Sequence, residues 1–177
     1  MVQQGPKGGV TMYQRILVPI DESPAALAGL EEAVRLAASG ASCIRVVHVI
    51  NVVPLLSAEA TPATIQGMLN AIHAEGEALL ERAASVVRKA GVQVESKLLR
   101  STGGPVGAQI IREAQAWAAD LIVCGTHGRE GVSRLLLGSD AEYIVRHSRA
   151  PVLLRRAESG AGAQLPVSDD RPSAAAG

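Results

Sequence analysis

Apolar positions along the chain alternate between two patterns. Short, nearly unbroken apolar runs are typical of strands buried on both faces of a sheet, and they predict strands at residues 15–20, 43–50, 121–124 and 151–154. A further strand is predicted at residues 92–99, where more polar residues fit a sheet edge. Between these runs, apolar residues recur every three or four positions, which predicts helices starting near residues 24, 62, 105 and 139. This alternation predicts an α/β domain with a parallel sheet covered by helices on both faces.

Two of the predicted helices begin with the same signal. Ser23 and Thr61 can each cap a helix, and each is followed directly by proline, which suits the first helical position. The long helix after Thr61 contains Gly67 and Gly76, each of which costs about 1 kcal/mol relative to Ala. We therefore expect the first half of this helix to be irregular.

The segment from residue 121 to residue 139 carries a glycine pattern. Gly125 follows an apolar run, Gly128 comes three residues later, and Gly138 and Ser139 stand where a helix should begin, with Ser139 as a plausible N-cap. Glycine lets a ligand approach the backbone amides, and a helix N-terminus favours an anion. The spacing is typical of a phosphate site, and an ordinary strand–loop–helix connection is the alternative reading.

These residues resemble a known family. The pattern G-x2-G-x9-G-S/T, formed by Gly125, Gly128, Gly138 and Ser139, resembles the ATP-binding signature of the universal stress protein family. The likeness extends over residues 16–21, 46–50, 119–129 and 146–154, which resemble the first, second, fourth and fifth strands of the family. It implies an open five-stranded parallel sheet of order 3-2-1-4-5 with helices on both faces, the adenine nucleotide alpha hydrolase-like fold.

In that strand order, the direction of the chain connections reverses between strands one and four, where ligands of open α/β sheets bind. The resemblance places Asp21 by the adenine and ribose, and the backbone of Val49 by the adenine edge. Arg129 could pair with phosphate oxygens or remain a solvated loop cation. The candidate nucleotide-binding residues are Pro19, Ile20, Asp21, Val49, Gly125, Thr126, His127, Gly128, Arg129, Gly138, Ser139, Asp140 and Ala141.

The sequence shows no pattern typical of a side-chain metal site or of a catalytic centre. His48, His73 and His147 have no ligand-like spacing with one another or with cysteine, so no metal site built from side chains is predicted. Mg²⁺ or Mn²⁺ would instead be carried on the phosphates of ATP. No Ser–His–Asp set and no Walker lysine is found, and we assign no catalytic residue.

Composition narrows the class of protein. The formal net charge is zero and only 2% of residues are aromatic, which argues against a nucleic-acid partner. Cys43 and Cys124 lie in predicted strands without a CxxC pair, so reduced thiols are expected. No apolar run approaches the roughly 20 residues of a membrane span, and no signal-peptide core is present, which predicts a cytoplasmic protein without a membrane partner.

The organisation expected from these features is a flexible extension over residues 1–13, a universal stress protein domain over 14–156 and a disordered tail over 157–177. The last strand is apolar and lies at a sheet edge in the implied order, which favours a homodimer through Pro151, Val152, Leu153 and Leu154. The function expected is an ATP-binding, homodimeric stress-response regulator whose state is read by a protein partner. The alternatives are a dimeric interaction module with weak or no nucleotide binding, and a slow ATPase.

Asp140 departs from the family pattern, which commonly has a small apolar residue after Gly-Ser. A carboxylate in the first turn stabilises its helix through the dipole by about 0.3–1 kcal/mol. However, a like charge about 4 Å from a phosphate would cost about 4 kcal/mol at an effective dielectric of about 20. The side chain could instead point away or share Mg²⁺ with the phosphates. The repulsion hypothesis predicts weak or strongly Mg²⁺-dependent nucleotide binding.

Under this hypothesis, Asp140→Val should tighten ATP binding about tenfold, because a third of the repulsion energy corresponds to that factor. A calorimetric titration with ATP measures the change. Unchanged or weaker affinity would count against repulsion.

Overall fold

A computed structural model describes residues 13–38, 40–53, 60–101, 103–126 and 137–157. The predicted extension and tail, apart from residues 13 and 157, lie outside the described residues. The elements in chain order are β1 (Arg15–Pro19), α1 (Pro24–Ala37), β2 (Cys43–Asn51), α2 (Pro62–Lys89), β3 (Gln93–Ser101), α3 (Val106–Ala116), β4 (Leu121–Gly125), α4 (Ser139–His147) and β5 (Val152–Arg155).

The five strands form one parallel sheet in the order β3-β2-β1-β4-β5. This confirms the predicted architecture and strand order. Strand β1 lies at the centre, where Ile16 pairs with Ile44 of β2 and with Leu121 of β4. The chain connections lead in opposite directions from β1 and β4, so the reversal of strand order falls between these two neighbouring strands.

Each face of the sheet carries its own apolar core. Ile16 and Val18 of β1 face helices α1 and α2, whereas Leu17 faces α3 and α4. All three side chains are completely buried. Since both faces are covered, the inner strands are apolar at most positions, which explains the unalternating runs in the sequence.

The predicted helix starts at Ser23 and Thr61 are confirmed. The Ser23 hydroxyl accepts a hydrogen bond from the Ala26 amide at 3.1 Å, and the Thr61 hydroxyl accepts one from the Thr64 amide at 3.3 Å. Each hydroxyl therefore satisfies an amide of the first turn that has no partner inside the helix.

The expected irregularity of α2 is wrong, since this helix runs without interruption for 28 residues. Gly76 is buried, and a Cβ there would lie 2.7 Å from the side chain of Leu98 on β3. Glycine at this position lets the helix backbone approach the sheet, so packing energy offsets its low helix propensity. None of the helices in the described ranges is both long and apolar enough to cross a membrane.

Helix α3 is attached to the sheet by a buried charge. The carboxylate of Glu113 is 5% exposed and accepts hydrogen bonds at 2.6 Å from both Arg45 of β2 and Lys97 of β3. The guanidinium of Arg45 also lies 4.5 Å from the centre of the Trp117 ring. Because a buried carboxylate is costly to leave unpaired, these contacts hold α3 to the two strands beneath it.

Both cysteines lie in strands as free thiols, as expected. Burial raises the pKa of Cys124 to about 12. For the half-buried Cys43, burial and the nearby Glu95 carboxylate raise the pKa, opposed by Arg45. Both thiols are therefore protonated at neutral pH.

Candidate functional site

The carboxyl ends of β1 and β4 meet at the point where the strand order reverses. Asp21 follows β1 by two residues, and Gly125 is the last residue of β4. Crevices at such switch points are the usual ligand sites of open α/β sheets. Two parts of the predicted site, distant in sequence, are thus brought to one edge of the sheet.

Asp21 completes the N-terminal cap of α1. Its Oδ1 accepts hydrogen bonds from the Ser23 amide at 2.9 Å and from the Ser23 hydroxyl, while that hydroxyl accepts from Ala26. These contacts place the Asp21 carboxylate beside Ser23 as an acid at the N-terminus of α1. Its role near the adenine and ribose stays a prediction.

The other candidates near β1 and β2 take part in sheet packing. The Ile20 amide donates to the Val47 carbonyl at 2.8 Å, and the Ile20 carbonyl bonds Nδ1 of His48 at 2.8 Å. The Ile20 side chain is buried in the core under α1 and α2. Pro19 ends β1, and the half-buried Val49 packs against the core on the opposite face.

Gly125 allows β4 to end against the first turn of α1. A Cβ at this position would lie 2.4 Å from the carbonyl carbon of Ala25 and 2.6 Å from its oxygen. Glycine is therefore needed for the packing of α1 on β4, a requirement that no local sequence pattern reveals. Thr126 follows it, is buried, and donates its amide to the Arg155 carbonyl at 3.0 Å, continuing the ladder between β4 and β5.

Thr126 and Gly138, the described residues that flank the central part of the glycine signature, are in direct contact. The Gly138 amide donates to the Thr126 carbonyl at 2.7 Å. The loop therefore leaves the end of β4 and returns to the same place, so α4 begins beside the switch point. The candidates His127, Gly128 and Arg129 lie outside the described residues.

The N-cap of α4 is Gly138, so the expectation that Ser139 caps this helix is wrong. Gly138 has extended dihedral angles (φ −60°, ψ 147°), and its carbonyl accepts the first helical hydrogen bond from Glu142 at 2.8 Å. Ser139 is therefore already helical, and its side chain cannot act as the cap. In the described part of the chain, the amides of Ser139, Asp140 and Ala141 have no acceptor.

The carboxylate of Asp140 turns towards helix α3. Its Oδ1 accepts a hydrogen bond of 3.1 Å from the amide of Gly107, in the first turn of α3. The N-cap of α3 is Pro105, which provides no side-chain acceptor, so Asp140 caps this helix from outside. Of the alternatives considered for Asp140, the contact corresponds to a side chain that points away from the amides of its own helix.

The N-termini of the four described helices thus differ in one respect. Ser23 caps α1, Thr61 caps α2 and Asp140 caps α3, whereas no side chain in the described ranges caps α4. The first turn of α4 therefore combines unpaired amide donors with the positive end of a helix dipole, an arrangement that favours an anion. In those same ranges, no group of three or more His, Cys, Asp or Glu residues could hold a metal ion.

Comparison with known proteins identifies the family. The model of the universal stress protein family matches residues 12–156. This chain belongs to the universal stress protein family. A universal stress protein of Methanocaldococcus jannaschii is 30% identical over 150 residues, which cover 84% of this chain and 85% of that protein. The expected family is therefore confirmed.

Solved structures of similar proteins agree with the fold. The structure of hypothetical protein MJ0577 superposes with a TM-score of 0.73 at 25% identity, covering 84% of this chain and 99% of that one. The universal stress protein of Archaeoglobus fulgidus in complex with dAMP has a TM-score of 0.58 at 25% identity, covering 81% and 98%. That relative binds an adenine nucleotide.

The contact between β4 and α1 can be tested by substitution of Gly125. We expect Gly125→Ala to lower the free energy of unfolding by about 1–3 kcal/mol, because the added methyl group would overlap the Ala25 backbone. Urea denaturation provides the measurement. The matched control is Gly67→Ala, since a Cβ at Gly67 meets no atom within 4 Å, and it should stabilise α2 by about 1 kcal/mol. Wild-type stability of Gly125→Ala would contradict the packing role.

Proposed function

We propose that this protein binds an adenine nucleotide, ATP accompanied by Mg²⁺ or Mn²⁺, at the switch point between β1 and β4. The observation that carries the proposal is the N-terminus of α4, whose amides at Ser139, Asp140 and Ala141 have no acceptor among the described residues. A phosphate placed there would accept hydrogen bonds from the main chain and interact favourably with the helix dipole.

The family relationship supports the choice of ligand. The dAMP-bound relative from Archaeoglobus fulgidus shares 25% identity over most of this chain. The glycine signature of this chain, with Gly125 at the end of β4 and Gly138 at the N-cap of α4, brackets the same switch point. An adenine nucleotide bound there would extend from the amides of α4 towards Asp21 and Val49 at the ends of β1 and β2.

The divalent ion would be held mainly by the phosphates. The described side chains offer no cluster of three metal ligands, and Mg²⁺ characteristically keeps water and phosphate oxygens as ligands. Its contribution would be to offset the charge of the polyphosphate close to the carboxylates of Asp21 and Asp140.

The biological role we propose is that of a regulator. The Gly138 amide bonds the Thr126 carbonyl, so a nucleotide seated on these two residues would favour one conformation of the protein at this edge of the sheet. A protein partner that distinguishes the two conformations would then read nucleotide occupancy.

We also propose that the protein is a homodimer joined through β5. This strand is at the edge of the sheet and is paired on one side with β4. Its Leu154 side chain is 37% exposed, among the few large apolar residues at the described surface. An edge strand with an exposed apolar side chain favours pairing with a second strand, and two identical edges can pair symmetrically.

Substitution of Ser139 by proline tests the role of the amides. Proline suits the first position of a helix, and the extended conformation of Gly138 is the one preferred before proline. Ser139→Pro should therefore keep the helix while deleting one donor, and we expect nucleotide affinity to fall about tenfold, since a hydrogen bond to a charged group contributes about 1.5 kcal/mol or more. Titration calorimetry with Mg–ATP and with dAMP measures the change.

The control is Ser139→Ala, which removes the hydroxyl but keeps the amide, so the difference between the variants reports the amide alone. When the nucleotide concentration is about 100 times its dissociation constant, the folded wild-type protein should gain about 2.7 kcal/mol of stability, which a thermal-shift experiment detects. Absence of this gain with every adenine nucleotide would refute the proposal and favour a dimeric interaction module.

The dimer is tested by Leu154→Lys, which places a charge on the edge strand. We expect the molar mass from light scattering to fall from that of two chains to that of one chain, 18.3 kDa, at the same concentration. The matched control is Met68→Lys, because Met68 is similarly exposed but lies on α2. This helix packs on β2 and β3, towards the edge of the sheet opposite β5. A dimer that survives Leu154→Lys would exclude this interface.

A further inference from the structure

We propose that Asp140 is a positioning residue for the nucleotide site. Its carboxylate ties the first turn of α4 to the first turn of α3 and so fixes the direction of the α4 amides. The inference rests on the nucleotide binding proposed above and concerns how the site is held in shape. It reverses the effect expected if Asp140 acted by repelling phosphate.

The tie is a hydrogen bond between two helix N-termini. Oδ1 of Asp140 accepts from the amide of Gly107 at 3.1 Å, although the two residues are 33 positions apart in the chain. Gly107 is the second helical residue of α3, the position from which a capping side chain commonly accepts a hydrogen bond. Since Pro105 cannot supply this acceptor, α3 depends on Asp140 for its cap.

The backbones of the two helices are in close contact at the same point. A Cβ at Gly107 would lie 3.0 Å from the carbonyl oxygen of Asp140 and 3.0 Å from the Cβ of Tyr143. Glycine at position 107 therefore allows α3 and α4 to lie close together. At this contact the Asp140 carboxylate accepts a hydrogen bond from the Gly107 amide. The hydrogen bond and the packing restrict the same motion, a displacement of the start of α4 away from α3.

One partner in this contact is firmly held. Helix α3 is joined to β2 and β3 through the buried Glu113, which bonds Arg45 and Lys97. Helix α4 is only nine residues long. Its N-cap residue, Gly138, donates a hydrogen bond to the carbonyl of Thr126, the residue that follows β4. Asp140 adds a second tie two residues later, so the first turn of α4 is fixed at two points between β4 and α3.

This arrangement also changes the electrostatic role of Asp140. Its carboxylate accepts a hydrogen bond from the positive end of the α3 dipole, which stabilises the negative charge where it stands. The side chain is thereby directed to α3, leaving the amides of α4 free for an anion. Removal of the carboxylate should loosen the site, and the loss of alignment should outweigh the loss of repulsion.

The test compares Asp140→Ala with the conservative variant Asp140→Asn in titrations with Mg–ATP and with dAMP. Alanine removes the acceptor, and we expect affinity to fall about tenfold. Asparagine keeps an oxygen that can accept from Gly107, and it should restore affinity to within about threefold of wild type. Exchange of the Gly107 amide with deuterium, followed by NMR without ligand, should accelerate in the alanine variant and not in the asparagine variant.

Three outcomes would overturn the inference. Tighter binding by both variants would indicate that repulsion dominates. Equal affinities of wild type and Asp140→Ala would remove the positioning role while leaving the proposed function intact, and a lower melting temperature of that variant would then indicate a purely structural cap. A wild-type protein that binds no adenine nucleotide would refute both this inference and the proposed function.

A second variant keeps the test decisive if Asp140→Ala does not fold. Gly107→Ala leaves Asp140 in place but adds a methyl group 3.0 Å from the Asp140 carbonyl oxygen and from the Cβ of Tyr143, so α4 must give way by a few tenths of an ångström. We expect it to weaken nucleotide binding in the same direction as Asp140→Ala. Wild-type affinity of a folded Gly107→Ala protein would contradict the inference.

Discussion

The hydrogen bond between the Gly138 amide and the Thr126 carbonyl sets the geometry on which the proposed site depends. It joins the start of α4 to the end of β4, so the first turn of this helix lies beside the place where the strand order reverses. The parallel sheet supplies the fixed frame, because β4 is buried between β1 and β5 and cannot shift without disturbing both cores. A single main-chain contact thereby places the start of α4, the centre of the proposed site, at this edge of the sheet.

The two acidic residues near the carboxyl ends of β1 and β4, Asp21 and Asp140, both take part in helix caps. Asp21 supports the cap of α1 through Ser23, and Asp140 caps α3 through Gly107. Each carboxylate is stabilised by amides at a helix N-terminus, which reduces the cost of placing negative charge near a phosphate site. The second cap directs the Asp140 carboxylate to α3 and away from the amides of its own helix.

Much of the fold could be predicted from local pattern. The apolar runs and helical periods located the strands and helices, since a strand buried on both faces and a helix buried on one face impose different spacings of apolar residues. The start of α1 at Ser23 followed from capping chemistry, which acts within three residues. The strand order was implied by the family resemblance that the glycine signature and its neighbouring motifs carry, because apolar periodicity alone does not determine the order of strands in a sheet.

What only the tertiary structure decided involves residues far apart in the chain. Gly125 is required by the close approach of the Ala25 backbone, and Gly76 lets α2 pack closely on the Leu98 side chain. The destination of the Asp140 carboxylate depends on the amide of Gly107. A sequence states which residue types are present and what their neighbours along the chain favour. The partner that a side chain or a missing Cβ meets across the fold is set by packing, and that is why the sequence pointed to a nucleotide site while the contacts showed how its helix is held.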